Sequence, residues 1–211
     1  MARIKAVIFD MDGVLIDAKE WHYEALNRAL ASFGMEISRH EHLTTYDGLP
    51  TKTKLKMLSA ERGLPVALHS FINEMKQVYT MELVYARCRP TFHHQFALSR
   101  LHARGLRLAV CSNSIRNTIA VMLERADLLH QLEFFLSNQD VQNPKPAPDI
   151  YLAAMKRLGL DADECLIVED NPNGIKAAQD SGAHLLCVGD VRDVNLANIT
   201  REIEQLENAY A

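Results

Sequence analysis

Two aspartates spaced two residues apart, Asp10 and Asp12, stand where an apolar run gives out, in I-K-A-V-I-F-D-M-D-G-V-L-I-D from Ile4 to Asp17. One carboxylate of such a pair can attack phosphorus and form an aspartyl-phosphate. The other can protonate the departing oxygen and later take a proton from water. Gly13 lets the chain turn sharply straight afterwards. Three further polar clusters follow apolar runs or their loops: Ser112-Asn113-Ser114, Lys145 within N-P-K-P-A-P-D, and Glu169-Asp170-Asn171-Pro172. The Ser112 hydroxyl and the Asn113 backbone N–H can hold phosphoryl oxygens, and Lys145 can neutralise the charge spread over them in transfer. Bare carboxylates gathered together repel and raise one another's pKa. A divalent cation with oxygen ligands relieves that repulsion, and magnesium characteristically takes a few carboxylates plus substrate phosphate.

Each cluster also has a plainer reading. Paired aspartates after a strand serve as turn residues, Ser112-Asn113-Ser114 as a helix N-cap, Lys145 as a solvated loop residue, and Glu169 to Pro172 as a helix start. Capping alone does not account for all four, in this order and each at a strand end.

The elements that must position these groups are legible from hydrophobic pattern. Ile4 to Phe9, Leu106 to Cys111, Cys165 to Val168 and Ala183 to Val188 are short continuous apolar runs, with Leu132 to Leu136 a weaker one. Such runs suit strands buried on both faces of a parallel sheet. Helical spacing covers Phe96 to Arg104, Asn117 to Ala126, Asp149 to Leu158 and Gly174 to Ser181. The alternation predicts an α/β fold with a doubly wound, Rossmann-like parallel sheet. Loops at the C-terminal ends of its strands converge on one edge, where ligands bind. From about Ala18 to Cys88 the pattern is helical only, over Glu20 to Phe33, Thr51 to Arg62 and Val66 to Tyr85. The expected division is a core domain of residues 1–17 and 89–211 with an inserted helical cap of residues 18–88, a candidate lid.

Composition bounds the function classes. Of 211 residues, 48% are hydrophobic and 24% charged, with a net charge of -4. This is an ordinary globular balance without a basic run, so neither nucleic acid nor an anionic membrane is an expected partner. Cys88, Cys111, Cys165 and Cys187 form no CxxC pair, and are expected as buried thiols rather than disulfide or zinc ligands. No stretch resembles a signal peptide or reaches membrane-spanning length, which points to the cytoplasm. There is no G-x-x-x-x-G-K-[ST] loop for a nucleoside triphosphate. His93 and His94 are read as part of a helix start, since neighbouring side chains on a helix face apart. His40 and His42 are read as surface residues.

Over nearly its whole length the chain resembles the haloacid dehalogenase superfamily, in the branch with a helical cap that contains β-phosphoglucomutase and many small-molecule phosphatases. The motifs carrying the resemblance are Asp10 to Asp17, Cys111 to Ser114, Lys145 to Asp149, and Val168 to Asn171 with Gly174. The resemblance implies Mg²⁺ bound by the Asp10 carboxylate, the Asp12 backbone carbonyl and the Asp170 carboxylate, with Glu169 as a nearby partner. Dehalogenases and phosphonate-cleaving members lack an aspartate at the second acid position, so Asp12 favours phosphoryl transfer. The implied activity is hydrolysis of a small phosphate monoester; the alternatives are a sugar-phosphate mutase and a catalytically inactive binding protein. All the motif residues are intact, which disfavours the last. His22 matches a histidine that mutases use near the general acid, but phosphatases carry it too. A mutase grips a second phosphate with a cap arginine and a core lysine. Here Thr51, in Gly48-Leu49-Pro50-Thr51, and Ile115 occupy those positions. The expectation is therefore a substrate held without that clamp, unless Lys52, Lys54 or Arg116 replaces it. Candidate substrate contacts are His22, Lys52 and Lys76, with Trp21. The partner is a small phosphorylated metabolite, and the default assembly a monomer.

Overall fold

The computed structural model describes residues 4–209. In chain order its elements are β1 (Ala6–Phe9), α1 (Lys19–Ala31), α2 (Arg39–Glu41), α3 (Thr51–Arg62), α4 (His69–Arg87), α5 (Phe92–Ala103), β2 (Arg107–Cys111), α6 (Arg116–Arg125), β3 (Phe134–Leu136), α7 (Asp149–Leu158), β4 (Cys165–Glu169), α8 (Pro172–Ser181), β5 (His184–Cys187) and α9 (Leu196–Ala209). The chain divides into two compact units, one comprising Met1–Asp17 and Arg89–Ala211, the other Ala18–Cys88.

The first unit is built on a five-stranded sheet in the order β3-β2-β1-β4-β5. Every pairing is parallel, with Phe9 opposite Val110 on one side and Val168 on the other. All four residues of β1 and all five of β4 are buried, which is why β1 and the first four residues of β4 read as unbroken apolar runs rather than alternating ones. The core between sheet and helices is filled by Ile8, Ala109, Ile150, Tyr151, Ala154, Ile167 and Ala178, among others. Asn171 caps α8 by accepting from the Asn173 N–H at 3.0 Å, with Pro172 in the first turn. Because β1 lies between the halves wound in opposite directions, the crevice at its C-terminal end is the topological switch point.

The second unit is helical. Its core gathers Leu26 and Leu30 of α1, Leu55 and Leu58 of α3, Ile72 of α4, and Ile37, Tyr46 and Leu64 from the connections. The Asn27 side chain pairs both ways with the Ile37 backbone, at 2.8 and 2.9 Å, and so closes the chain leaving α1. A π-helical turn, His42–Tyr46, follows α2 directly.

Several expectations need correction. Helix α5 begins at Phe92, not Phe96, so His93 and His94 lie in its first turn. There the two rings do not face apart: both Nε2 atoms approach the Val191 carbonyl, at 3.3 and 2.8 Å. His42 is buried rather than on the surface. Cys187 is exposed, unlike the other three cysteines, because β5 is an edge strand with no residue fully covered. The segment from Val66 splits into a 3-10 turn, Val66–Leu68, before α4 begins. Helix α9 lies beyond the last predicted element.

Candidate active site

The exit from β1 is tied to itself. The Met11 carbonyl accepts from the N–H groups of Val14, Leu15 and Ile16 at 2.9–3.3 Å, and the Gly13 N–H donates to Ile16 O at 2.7 Å. Gly13 has φ 95°, the left-handed conformation this turn requires. The Asp10 N–H donates to Val168 O at 3.0 Å, so the first residue beyond β1 remains locked to β4.

Against Asp10 stands Lys145. Its ammonium donates to Asp10 Oδ1 at 2.6 Å, to Glu169 Oε1 at 2.6 Å and to the Cys111 carbonyl at 2.8 Å. All three ionisable groups are buried. Removing one partner from such a cluster strands a buried charge, at a cost of about 3–5 kcal/mol. Burial opposes the charged form of Lys145, yet the neighbouring Asp10 and Glu169 carboxylates outweigh it and hold the ammonium above its usual pKa. Asp10 is pushed the same way: burial, reinforced by Glu169, Asp170 and Asp12 against the pull of Lys145, drives its carboxyl well above the usual range. The surrounding carboxylates push both groups upward, while burial is the larger cause for Asp10 and opposes the rise of Lys145.

Asp12 accepts from Ser114 Oγ at 2.8 Å and from Ser112 Oγ at 3.3 Å. The Asn113 side chain holds the Lys145 backbone at both ends: Oδ1 accepts its N–H at 3.0 Å and Nδ2 donates to its carbonyl at 3.1 Å. Sequence reasoning credited Asn113 with only a backbone N–H; its amide also positions the lysine.

One residue escaped the sequence reading, and another was read without its reason. Tyr151, fully buried in α7, donates its hydroxyl to Glu169 Oε1, and its ring face lies 4.7 Å from Lys145 Nζ. Nothing local to Tyr151 announces this, since its partners come from the end of β4 and from the loop after β3. Gly174 belonged to a motif, but its reason is steric: a Cβ there would lie 1.9 Å from Glu169 Oε1.

Asp10, Glu169 and Asp170 each place a carboxylate oxygen within 4.8 Å of the others. An all-oxygen donor set carrying excess negative charge fits a hard divalent cation. Glu169 is the most committed of the three, since its Oε1 serves Lys145 and Tyr151 and its Oε2 accepts the Asp170 N–H at 3.1 Å. Asp10, Asp12, Ser112, Asn113, Lys145, Glu169 and Asp170 are thus joined at one sheet edge. In the helical unit His22 Nδ1 and Lys76 Nζ lie 3.1 Å apart, whereas Lys52 is exposed on α3.

A family model described as haloacid dehalogenase-like hydrolase matches residues 7–188. The chain belongs to that family. Among curated relatives of this haloacid dehalogenase-like hydrolase, a phosphorylated carbohydrates phosphatase of Thermotoga maritima is 29% identical over 182 residues, covering 85% of this chain and 82% of that protein. A phosphoglycolate phosphatase of Salmonella typhi is 27% identical over 201 residues, covering 86% and 80%. The crystal structure of a β-phosphoglucomutase from Clostridium difficile superposes with a TM-score of 0.83 over 97% of this chain and 99% of that one, at 20% identity. At that identity the likeness establishes the fold.

Proposed function

We propose that this hydrolase cleaves a small phosphate monoester through an aspartyl-phosphate on Asp10. The observation that carries the reading is the Lys145 ammonium placed 2.6 Å from both Asp10 and Glu169 at the end of β1, with Asp12 two residues on. Asp10 attacks phosphorus as the nucleophile. Asp12 gives a proton to the leaving alcohol and then receives one from the water that attacks the acyl phosphate. Ser114 and Ser112 fix the Asp12 carboxylate for that exchange. Lys145 offsets the charge on the transferring oxygens, and Ser112 with the Asn113 N–H binds them. Magnesium, held by the Asp10 and Asp170 carboxylates and the Asp12 carbonyl with Glu169 beside them, would supply further charge neutralisation. The helical unit, residues 18–88, supplies substrate contacts, of which His22 and Lys76 are one joined pair and Lys52 another candidate. A cytoplasmic monomer acting on a phosphorylated metabolite, without nucleic acid or membrane, completes the proposal. Among the described residues no helix is long and apolar enough to cross a membrane.

The test is a panel of phosphorylated metabolites plus an aryl phosphate, assayed for inorganic phosphate. Release should stop on chelation and return with magnesium but not with calcium, which prefers more ligands and a looser geometry. A chain inert toward every ester with magnesium present would be a binding protein. Conversion of β-glucose 1-phosphate to glucose 6-phosphate, primed by glucose 1,6-bisphosphate and faster than phosphate release, would establish the mutase instead.

A further inference from the structure

The loop leaving β3 is braced from within. Asp140 Oδ2 accepts from the Ser137 N–H at 2.8 Å and from the Ser137 hydroxyl at 2.6 Å, while the Asp140 N–H donates to the Ser137 carbonyl at 3.1 Å. Asp140 Oδ1 takes the guanidinium of Arg116, the first residue of α6. Ser137 is fully buried. A side chain presented from this loop is therefore presented from a fixed frame.

Asn138 is that side chain, and it holds the neighbouring loop, the one leaving β2. Its Nδ2 donates to the Asn113 carbonyl at 2.7 Å, and its backbone N–H donates to the Ser114 carbonyl at 3.3 Å. One residue thus engages two consecutive carbonyls. The peptide group between Asn113 and Ser114 is engaged at its other end as well, because the Ser114 N–H donates to Ser112 Oγ at 3.0 Å. A peptide unit is planar, so fixing the direction of its carbonyl fixes that of its N–H. A hydroxyl has one proton and two acceptor lone pairs. The Ser114 N–H occupies one lone pair of Ser112 and turns the Ser112 proton away from itself, toward Asp12 Oδ2 at 3.3 Å. The Ser114 hydroxyl, carried on the same turn, donates to that same oxygen at 2.8 Å.

We infer that Asn138 is a positioning residue for the reaction: by holding the Asn113 and Ser114 carbonyls, it keeps the Ser112 and Ser114 hydroxyls in the directions that phosphoryl binding and proton transfer by Asp12 require. This rests on the phosphatase reading, and extends it to a residue outside the motifs that carry the chemistry. Asparagine suits the task because its amide supplies a donor to the Asn113 carbonyl. Aspartate, of the same shape, would set an oxygen against that carbonyl.

Variants of the whole chain, assayed with magnesium, test the assignment. Asn138→Ala should lower kcat/KM about ten-fold or more, as a small misplacement of reacting groups does, and Asn138→Asp should lose at least as much. Activity at the unsubstituted level in either variant overturns the inference. Gln139→Ala is the control from the same loop. It removes the bond from the Arg116 N–H to Gln139 Oε1 at 2.9 Å and should leave kcat/KM near that of the unsubstituted protein. An equal loss in Gln139→Ala and Asn138→Ala would mean general loosening of the loop and would also overturn it. Because Asn138 acts through the turn that carries Ser114, the double variant with Ser114→Ala should lose less than the product of the two single losses. A full product would show that the two residues act independently, against the inference. If the unsubstituted chain hydrolyses no ester, an aryl phosphate included, the phosphatase reading falls, and Asn138 is judged by calorimetric binding of inorganic phosphate. Affinity should then drop about ten-fold in Asn138→Ala, the scale of one hydrogen bond to a charged group. Unchanged affinity, or no binding by the unsubstituted protein, rejects the role.

Discussion

The molecule has two buried polar clusters, and they are satisfied to different degrees. Around Lys145 every direction is engaged: Asp10, Glu169 and the Cys111 carbonyl accept from its ammonium, and the Tyr151 ring covers it. Around His42 both ring nitrogens lack a hydrogen-bond partner. The first cluster carries more carboxylates than cations. Groups that perform the same chemistry on every turnover gain from being fixed in advance. The buried, unpaired His42 ring has no such gain, and its burial costs the fold stability.

The largest effect should come from the centre of the first cluster. Asp10→Asn should reduce phosphate release to background while circular dichroism and thermal midpoint stay near those of the unsubstituted protein, because the amide oxygen still accepts from Lys145. Turnover clearly above background would remove Asp10 from its role. Asp12→Asn should cost on the order of 10²–10⁴-fold in kcat. That loss should be greater for alkyl than for aryl phosphates, and an equal loss for both would contradict proton donation to the leaving group.

Why the first cluster was legible and the second was not follows from where each set of partners lies. Asp10, Ser112 and Glu169 each end or directly follow an apolar run, so the strand pattern and the residue type point to the same place. Tyr151 sits 18 residues from Glu169 and looks like any apolar helix residue; only the tertiary fold shows its hydroxyl turned inward. His42 lies in H-E-H-L-T-T-Y, polar enough to read as surface, and the π-helical turn that buries it has no sequence mark. Lys54 has the same difficulty, in a lysine-rich helix where Lys52 and Lys56 are exposed. The parallel sheet was readable because both faces of β1 and β4 are covered. The exposure of Cys187 was not, because edge position is a property of strand order rather than of the run itself.

A milder substitution probes how far pairing matters in the first cluster. Tyr151→Phe keeps the ring over Lys145 and removes one donor to Glu169, leaving a buried carboxylate with fewer partners. The expected cost is about 1–3 kcal/mol in denaturant unfolding, with a several-fold fall in kcat. Unchanged stability would show that the hydroxyl contributes nothing to the cluster.

The smallest effects compare two histidines of similar burial and opposite satisfaction. His94 has both nitrogens engaged, Nδ1 with Thr91 Oγ1 at 2.8 Å and Nε2 with Val191 O at 2.8 Å. His94→Phe should therefore destabilise by roughly 1–3 kcal/mol. His42→Phe breaks no hydrogen bond and should leave stability equal or slightly higher. Burial lowers both rings to about 4. The unfolded chain thus binds more protons than the folded one below the usual histidine value of about 6.5. Stability is full above that pH and declines as pH falls toward 4, and either substitution should flatten the decline. A pH profile that stays equally steep in both variants would locate it elsewhere.

The Asn113 side chain has a mechanical consequence. By facing the Lys145 backbone with one acceptor and one donor, it reproduces the pair of bonds a neighbouring strand would offer, one rung beyond the end of the sheet. The loops leaving β2 and β3 are thereby spliced into a single stiff span. The hydroxyl-bearing loop and the ammonium-bearing loop then shift together or not at all, so the spacing between Ser112 and Lys145 is insulated from motion in either. Aspartate, identical in shape, would reverse the sense of one rung, set two oxygens against each other and undo the splice.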